Sequence, residues 1–418
     1  MGNILDYLDW RGDVPFRLDP FNEADNLVLS MLSYGQFDSI LTEEGFQKGK
    51  GIRELWDAYT AVHPLEEEKG TGGHFSRAPL LLKKLAASER FRDLVVSDFV
   101  NLVSKDHSEQ MSAVTCQVGD GTIYVAFRGT DNSLIGWKED FLLAYTPQTS
   151  GQKHAAEYLS KIGLQSNQPL RVGGHSKGGN LAVYASAFCA EEVRPKIVEV
   201  YSNDGPGFLK EVIETPEYEA VYPKVHGFIP EETLFGILLE NTFPQKIIRS
   251  SRKGILQHDA YSWEIIRNRF EEAPKVSGGS LYADKTITAL LDELTPENRK
   301  EFIDTVFEVL ESPGSETFSK LKQSKLKNYG EMLKTVLGMD KDRRDKTIKV
   351  LGSLAKTGTN TMLDELQNAL SKLTGSSTQQ KPEEQKAIEE KPAGEKPAEE
   401  KPLEENLAED KTTEEKKV

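Results

Sequence analysis

Fourteen residues, Arg171-Val-Gly-Gly-His-Ser-Lys-Gly-Gly-Asn-Leu-Ala-Val-Tyr184, constrain this chain more than any others. They read as a buried strand, a Gly-x-Ser-x-Gly turn and the start of a helix, in that order. Gly174 and Gly178 lack a Cβ, so the chain can turn sharply and hold Ser176 in strained backbone at the apex, with its hydroxyl pushed outward. Leu181, Ala182, Tyr184 and Ala185 then fall at helical spacing, which places the amides after the turn at a helix N-terminus that favours negative charge. Gly-x-Ser-x-Gly alone is a weak signal. Strand before and helix after make it the setting for an activated serine.

Around this turn, residues 1 to 279 alternate strand and helix patterns, so the fold class is α/β. Strands are expected at 113–116, 122–128, 170–174, 196–202, 222–229 and 246–250. Residues 280–375 change character. Thr295-Pro296-Glu297 is a helix start, and Phe302, Ile303, Val306, Phe307 and Leu310 follow at helical spacing. Further helices are expected at 316–337, 341–356 and 361–373, giving a C-terminal helical appendage. It could pack on the α/β body, shield a lipid site or dimerise. From Lys381 onward 8 lysines stand against 13 acidic residues, Lys-Pro recurs, and the last aromatic residue is Tyr329. Such a composition buries too little apolar surface to offset ordering entropy, so 376–418 reads as a disordered Pro/Glu/Lys-rich acidic tail. It is a solvated spacer or a binding tail for an unidentified protein partner.

The net charge of −15 argues against a nucleic-acid partner, since phosphate binding needs a basic surface. Two cysteines, Cys116 and Cys189, sit in apolar runs and read as small core residues. No clustered His, Cys and carboxylate set has metal-ligand spacing, and no cofactor is expected. No apolar run approaches the roughly 20 residues of a membrane span, which leaves only peripheral membrane contact open. The N-terminus carries early acids and no basic region leading an apolar core, so a cytoplasmic location is expected.

A nucleophilic serine needs a base, and downstream of Ser176 only His226 and His258 are available. His226 lies inside the strand pattern Val225-His-Gly-Phe-Ile229 and reads as a buried, satisfied histidine. His258, in a loop after the last strand, is the candidate base. Its orienting acid is Asp204, just past a strand in Tyr201-Ser-Asn-Asp-Gly-Pro-Gly-Phe208, or else Glu231 or Glu232 past the next strand. Asp204 is favoured, although it also suits an Asx-type turn. Asp259 is too close in sequence to His258 to orient it. Oxyanion donors are sought after an early strand, Ile123-Tyr-Val-Ala-Phe-Arg-Gly-Thr130, where Gly129 lets the backbone approach and Thr130 offers an amide and a hydroxyl. The backbone amide of Lys177 is the second donor.

Phe127-Arg-Gly-Thr130, then Trp137 and Asp140, then Gly174-His-Ser-Lys-Gly-Gly179 resembles the class 3, or fungal-type, lipases. More closely, Asn3-Ile-Leu-Asp-Tyr-Leu-Asp-Trp-Arg11, the run at 136–141, Asn203-Asp-Gly-Pro-Gly-Phe208 and Gln257-His-Asp259 resemble a bacterial lipase-related family of unknown function. The resemblance implies an α/β-hydrolase fold, Ser176 as nucleophile, His258 as base, Thr130 and Lys177 around the oxyanion, and Trp137 and Asp140 as scaffold. Two departures stand out. Lys177 replaces an apolar residue, and either sets a cation beside the site, favouring negatively charged substrates or leaving groups, or points outward along its helix. The Asp that fungal-type lipases carry after the next strand is missing, so Asp204 or a glutamate must serve. The expected activity is serine ester hydrolysis of lipid or other acyl esters. A non-catalytic hydrolase-fold scaffold and an acyltransferase with the same residues are the alternatives.

Overall fold

Strict alternation in Ile123-Tyr-Val-Ala-Phe127 decides how this molecule is layered. Ile123, Val125 and Phe127 enter one apolar cluster, while Tyr124 and Ala126 enter another on the opposite side of the sheet. A strand buried on both faces belongs in the middle of a sheet covered by helices on both sides. The computed structural model describes residues 2–43, 45, 48–63, 74–104, 109–131 and 133–281, and parts of 304–347.

The sheet has eight strands in sequential order: β1 (Lys50–Gly51), β2 (Val95–Ser104), β3 (Glu109–Gln117), β4 (Ile123–Phe127), β5 (Leu170–His175), β6 (Ile197–Asn203), β7 (Val225–Pro230) and β8 (Gln245–Ile248). β1 to β4 pair antiparallel, and β4 to β8 pair parallel. Helices α1 (Ile4–Arg11), α2 (Glu23–Leu32), α3 (Ile52–Val62) and α4 (His74–Ala87) feed the first cluster with Tyr7, Leu27, Val28, Leu55, Leu81 and Leu85. After α5 (Leu134–Leu142), helices α6 (Ser150–Gln165) and α7 (Lys177–Phe188) supply the second with Leu159, Ile162, Leu181 and Ala185. Cys116 and Cys189 lie in these two clusters as free thiols, pushed by burial up to about 12 and about 11. No described helix is long and apolar enough to cross a membrane.

The short β1 and the long β2 were not foreseen. β2 hides because its pairing with β3 is interrupted between Ser97 and Val100, where Asp98 takes φ 51. Such a bulge breaks the period-2 pattern that betrays a strand. His226 lies in β7 as expected but is half exposed, not buried, with its ring 3.8 Å from Glu199. Of the expected C-terminal helices, one spans Lys325–Gly338, and residues 341, 343, 344 and 347 are also helical. Phe307 is buried and meets Phe141 of α5 edge-on at 5.8 Å, while Lys138 of α5 pairs with Asp304 at 2.9 Å. Thr295, Pro296, the 361–373 helix and the whole of 376–418 lie outside the described residues.

Candidate active site

Three adjacent parallel strands each end at a residue of the site. After β5 the chain turns at Ser176, whose φ of 59° and ψ of −132° fall in the left-handed half of the map that a side chain rarely adopts. The flanking glycines are required by close approach. A Cβ on Gly174 would lie 2.3 Å from the Gly178 carbonyl, and one on Gly178 would lie 2.2 Å from the Phe127 carbonyl oxygen. After β4, a Cβ on Gly129 would lie 3.0 Å from Ser176 Cβ and 2.4 Å from the His175 oxygen, so Thr130 follows directly on a residue packed against the serine. After β6, Asp204 is fully buried at φ 53°.

His258 arrives from the loop beyond β8. A carboxylate only accepts hydrogen bonds, so the imidazole Nδ1–H donates to Asp204 Oδ2 at 2.6 Å. In a neutral ring this leaves Nε2 as an acceptor, and the Ser176 hydroxyl donates to it at 2.9 Å. Asp204 Oδ1 is taken by the Thr233 hydroxyl and by the Gly236 N–H at 3.1 Å. Neither alternative acid reaches the ring. Glu232 accepts from the Gly254 N–H and from Gln257 Nε2 at 3.2 Å, bracing the turn that carries His258. Ser176, His258 and Asp204 are thus brought together, and the Asx-turn reading of Asp204 gives way to a residue whose two oxygens face different partners.

The loop of His258 is held from several sides. Its carbonyl accepts from His175 Nε2–H at 2.8 Å, which makes His175 Nδ1 the acceptor for the Tyr34 hydroxyl at 3.2 Å. Burial, with imidazoles on both sides, holds His175 well below the usual histidine range, and burial lowers His74 to about 4. Both therefore stay neutral beside His258, whose ring lies 4.7 Å from that of His175. Asp259 does not orient the base. It pairs with Arg77 at 2.7 Å and Arg252 at 3.2 Å, tying the loop to α4. Phe235 lies against the His258 ring, with centroids 4.1 Å apart and the planes tilted by 34°.

Lys177 and Thr130, the two residues expected to donate to a carbonyl oxygen, both lie next to Ser176, one following it in the chain and the other following the Gly129 that packs against it. The Lys177 N–H opens α7 and has no partner within the helix by construction. The Thr130 hydroxyl has one proton, which it gives to Asp140, with oxygens at 2.6 and 2.8 Å, so that hydroxyl is already committed as a donor. Burial pushes the Asp140 carboxyl up to about 6, against the opposing pull of Lys177 and the Thr130 hydrogen bond. Trp137 falls within α5, and its side chain lies outside the described residues.

Lys177 corrects both expectations made for its side chain. It neither reaches the site as a free cation nor points outward, because it is 2% exposed and its ammonium is bound to Glu139 of α5 and to Gln110 of β3. Glu139 lies 38 residues before Lys177, so only the packing of α5 on the elbow reveals the pair. Thr233, Gly236, Arg77 and Tyr34 also went unrecognised. Each acts on the site through a contact at least 29 residues distant in sequence, with no local pattern to mark it.

A family model described as Mbeg1-like matches residues 85–308, just over half of the 418 residues and a span that includes Thr130, Ser176, Asp204 and His258. Comparison with curated proteins returned no match. Among solved structures, a lipase–propeptide complex from Rhizomucor miehei is 17% identical over 38% of this chain and 57% of its own, with a TM-score of 0.30. Lipase II from Rhizopus niveus is 17% identical over 37% of this chain and 66% of its own, at TM-score 0.27. A mutant form of MDLA from Penicillium cyclopium is 11% identical over 61% of this chain and 87% of its own, at TM-score 0.35. The chain thus spans less than two thirds of the first two lipases.

Proposed function

The chain belongs to the Mbeg1-like family, and from that premise we propose that it is a serine ester hydrolase acting on lipid or other acyl esters. One observation carries the reading: at a strained turn, the Ser176 hydroxyl donates to His258 while the other ring nitrogen donates to a buried Asp204. In the reaction Ser176 Oγ bonds to the ester carbonyl carbon as its proton passes to His258 Nε2. Asp204 steadies the imidazolium, and the amides of Lys177 and Thr130 receive the oxyanion. The tetrahedral intermediate expels the alcohol, which takes the proton back from His258. Water, deprotonated by the same nitrogen, then releases the acid and restores Ser176.

The acyl side is argued from the loop that follows β7. Leu234, Phe235, Ile237, Leu238 and Leu239 are all partly exposed, and Leu256 is 54% exposed two residues before His258. Apolar side chains left at the mouth of a site suit a hydrocarbon chain more than a sugar or a peptide.

A fluorophosphonate probe tests the reading, applied to wild type, Ser176→Ala and His258→Ala, followed by p-nitrophenyl esters of increasing chain length. Labelling that requires both residues is the expected result, with rates rising as the acyl chain lengthens. Folded wild-type protein that never labels would overturn it in favour of a non-catalytic scaffold. Competing alcohols in the ester assay separate hydrolysis from acyl transfer.

A further inference from the structure

An ammonium removed from water needs an acceptor for each of its three protons. Lys177 has all three: the Gln110 carbonyl oxygen at 2.7 Å, Gln110 Oε1 at 3.0 Å and Glu139 Oε2 at 2.8 Å. Both oxygens of Glu139 are engaged in turn, Oε2 also taking the Gln110 N–H at 2.9 Å and Oε1 the Gly151 N–H at 2.8 Å. Four elements meet at this pair: the elbow, β3, α5 and the first turn of α6. Gly151 is part of the fit, since a Cβ there would lie 2.4 Å from Glu139 Oε1.

Stability does not account for the arrangement. A buried ion pair roughly breaks even against apolar side chains of equal volume, and often loses to them. What the pair does fix is the seat of α5 against the elbow. The residue after Glu139 is Asp140, which holds the Thr130 hydroxyl. Thr130 follows Gly129, and Gly129 abuts Ser176. A closed ring of contacts therefore runs from Ser176 through the Lys177 side chain, Glu139, Asp140, Thr130 and Gly129 back to Ser176.

We propose that Lys177 is a positioning residue whose buried ammonium locks α5 to the elbow, fixing the separation of the Lys177 and Thr130 amides around the carbonyl oxygen of a bound ester. The proposal rests on the hydrolase reading above and supplies the origin of its oxyanion geometry. The cation acts on the protein and not on the substrate, so it confers no preference for negatively charged leaving groups.

The test compares wild type, Lys177→Met, Glu139→Gln and the double variant in p-nitrophenyl butyrate turnover, at a temperature where circular dichroism shows each folded. Misplacing an oxyanion donor by a fraction of an ångström lowers kcat about ten- to hundredfold while KM moves by less than about threefold. Each single variant should show that split, and the double variant should lose no more than the worse single, because both break one lock. A merely structural pair would lower the melting temperature and leave kcat of the folded protein within about twofold of wild type, which would overturn the proposal. So would additive losses in the double variant, or a KM change confined to anionic esters. If Lys177→Met does not fold, Glu139→Gln carries the same comparison. Wild-type protein that turns over while these variants match it refutes the lock alone; wild-type protein that neither labels nor turns over refutes the hydrolase reading and the lock with it.

Discussion

Asp204→Asn replaces one carboxylate oxygen by an NH2, removing one negative charge and almost nothing of shape, yet it should abolish most of the activity. The direction follows from which donors the carboxylate already serves. Oδ1 faces the Thr233 hydroxyl and the Gly236 N–H, and the amide proton of Gly236 cannot be turned away. An asparagine at this position must therefore place its oxygen there and its NH2 where Oδ2 now meets His258 Nδ1 at 2.6 Å. A donor opposite Nδ1 forces that nitrogen to accept, and the ring proton moves to Nε2, facing the Ser176 hydroxyl. The base is then occupied by the wrong tautomer. Forcing that tautomer in a serine–histidine–carboxylate site costs about 10³–10⁴ in kcat, or about 4–5.5 kcal/mol of barrier. Fold stability should change by less than about 2 kcal/mol, since every hydrogen bond to Oδ1 survives. The assay is the second-order rate of fluorophosphonate labelling, with thermal unfolding of the same samples and Ser176→Ala as the zero. Glu232→Gln, which reaches the base only through Gly254 and Gln257, should stay within about tenfold of wild type. Folded Asp204→Asn labelling within about tenfold of wild type would refute the tautomer argument and the role given to Asp204.

Gly178→Ala should destabilise by at least about 2 kcal/mol, although alanine ordinarily stabilises a helix relative to glycine. The added carbon would sit 2.2 Å from the Phe127 oxygen and 2.9 Å from the Arg128 carbonyl carbon, both backbone, so chemical denaturation that finds no loss would contradict the close approach. The Asp140 carboxyl, raised to about 6 by burial, has a folded value above its unfolded one, so its contribution to stability is present in full below the unfolded value and is lost as pH rises through about 6. Wild type should gain about 1–3 kcal/mol on Asp140→Asn between pH 7.5 and pH 4 in urea titrations; a constant difference would show that the carboxyl titrates normally. Arg77→Ala removes both the 2.7 Å bond to Asp259 and the cover of the Tyr261 ring. It should cost about 1–3 kcal/mol and slow labelling by loosening the His258 loop, and labelling at the wild-type rate would show that Arg252 alone holds Asp259.

The elements of the site nearest in sequence were the most legible. Gly174 and Gly178 announce the elbow because a Cβ at either would strike backbone, and the scarcity of downstream histidines left His226 and His258 as the bases to weigh. Asp204 was favoured over the glutamates from its place just past a strand, but the contacts that seat it, from Thr233 and Gly236 on another loop, were not legible. Strands β3 to β8 show as apolar or alternating runs, while β2 is concealed by the bulge at Asp98. Lys177 was the least legible of all. A lysine after the serine looks like a charge awaiting a substrate until its three acceptors, all on other elements, are seen.

The register of β5 explains why so many separate pieces converge. β4, β5 and β6 run parallel, with Gly174 opposite Phe127 on one side and Ser202 on the other. In that register Gly173 lies directly under the Tyr124 hydroxyl on the face of the first apolar cluster; a Cβ there would lie 2.0 Å from the tyrosine oxygen. Slipping β5 by one residue would exchange the faces of Val172 and Gly173, driving a valine side chain into Tyr124 and its hydrogen bonds to Ser30 and Asn26. The strand is thereby locked, and with it the depth at which the chain leaves the sheet. Ser176 and Asp204 then emerge one strand apart, both at positive φ, where each side chain is turned back over the carboxyl edge instead of along its strand. That edge is where open α/β sheets receive ligands. A buried glycine–tyrosine contact inside the sheet thus sets the spacing on which the hydrogen-bonded chain from Ser176 to Asp204 depends.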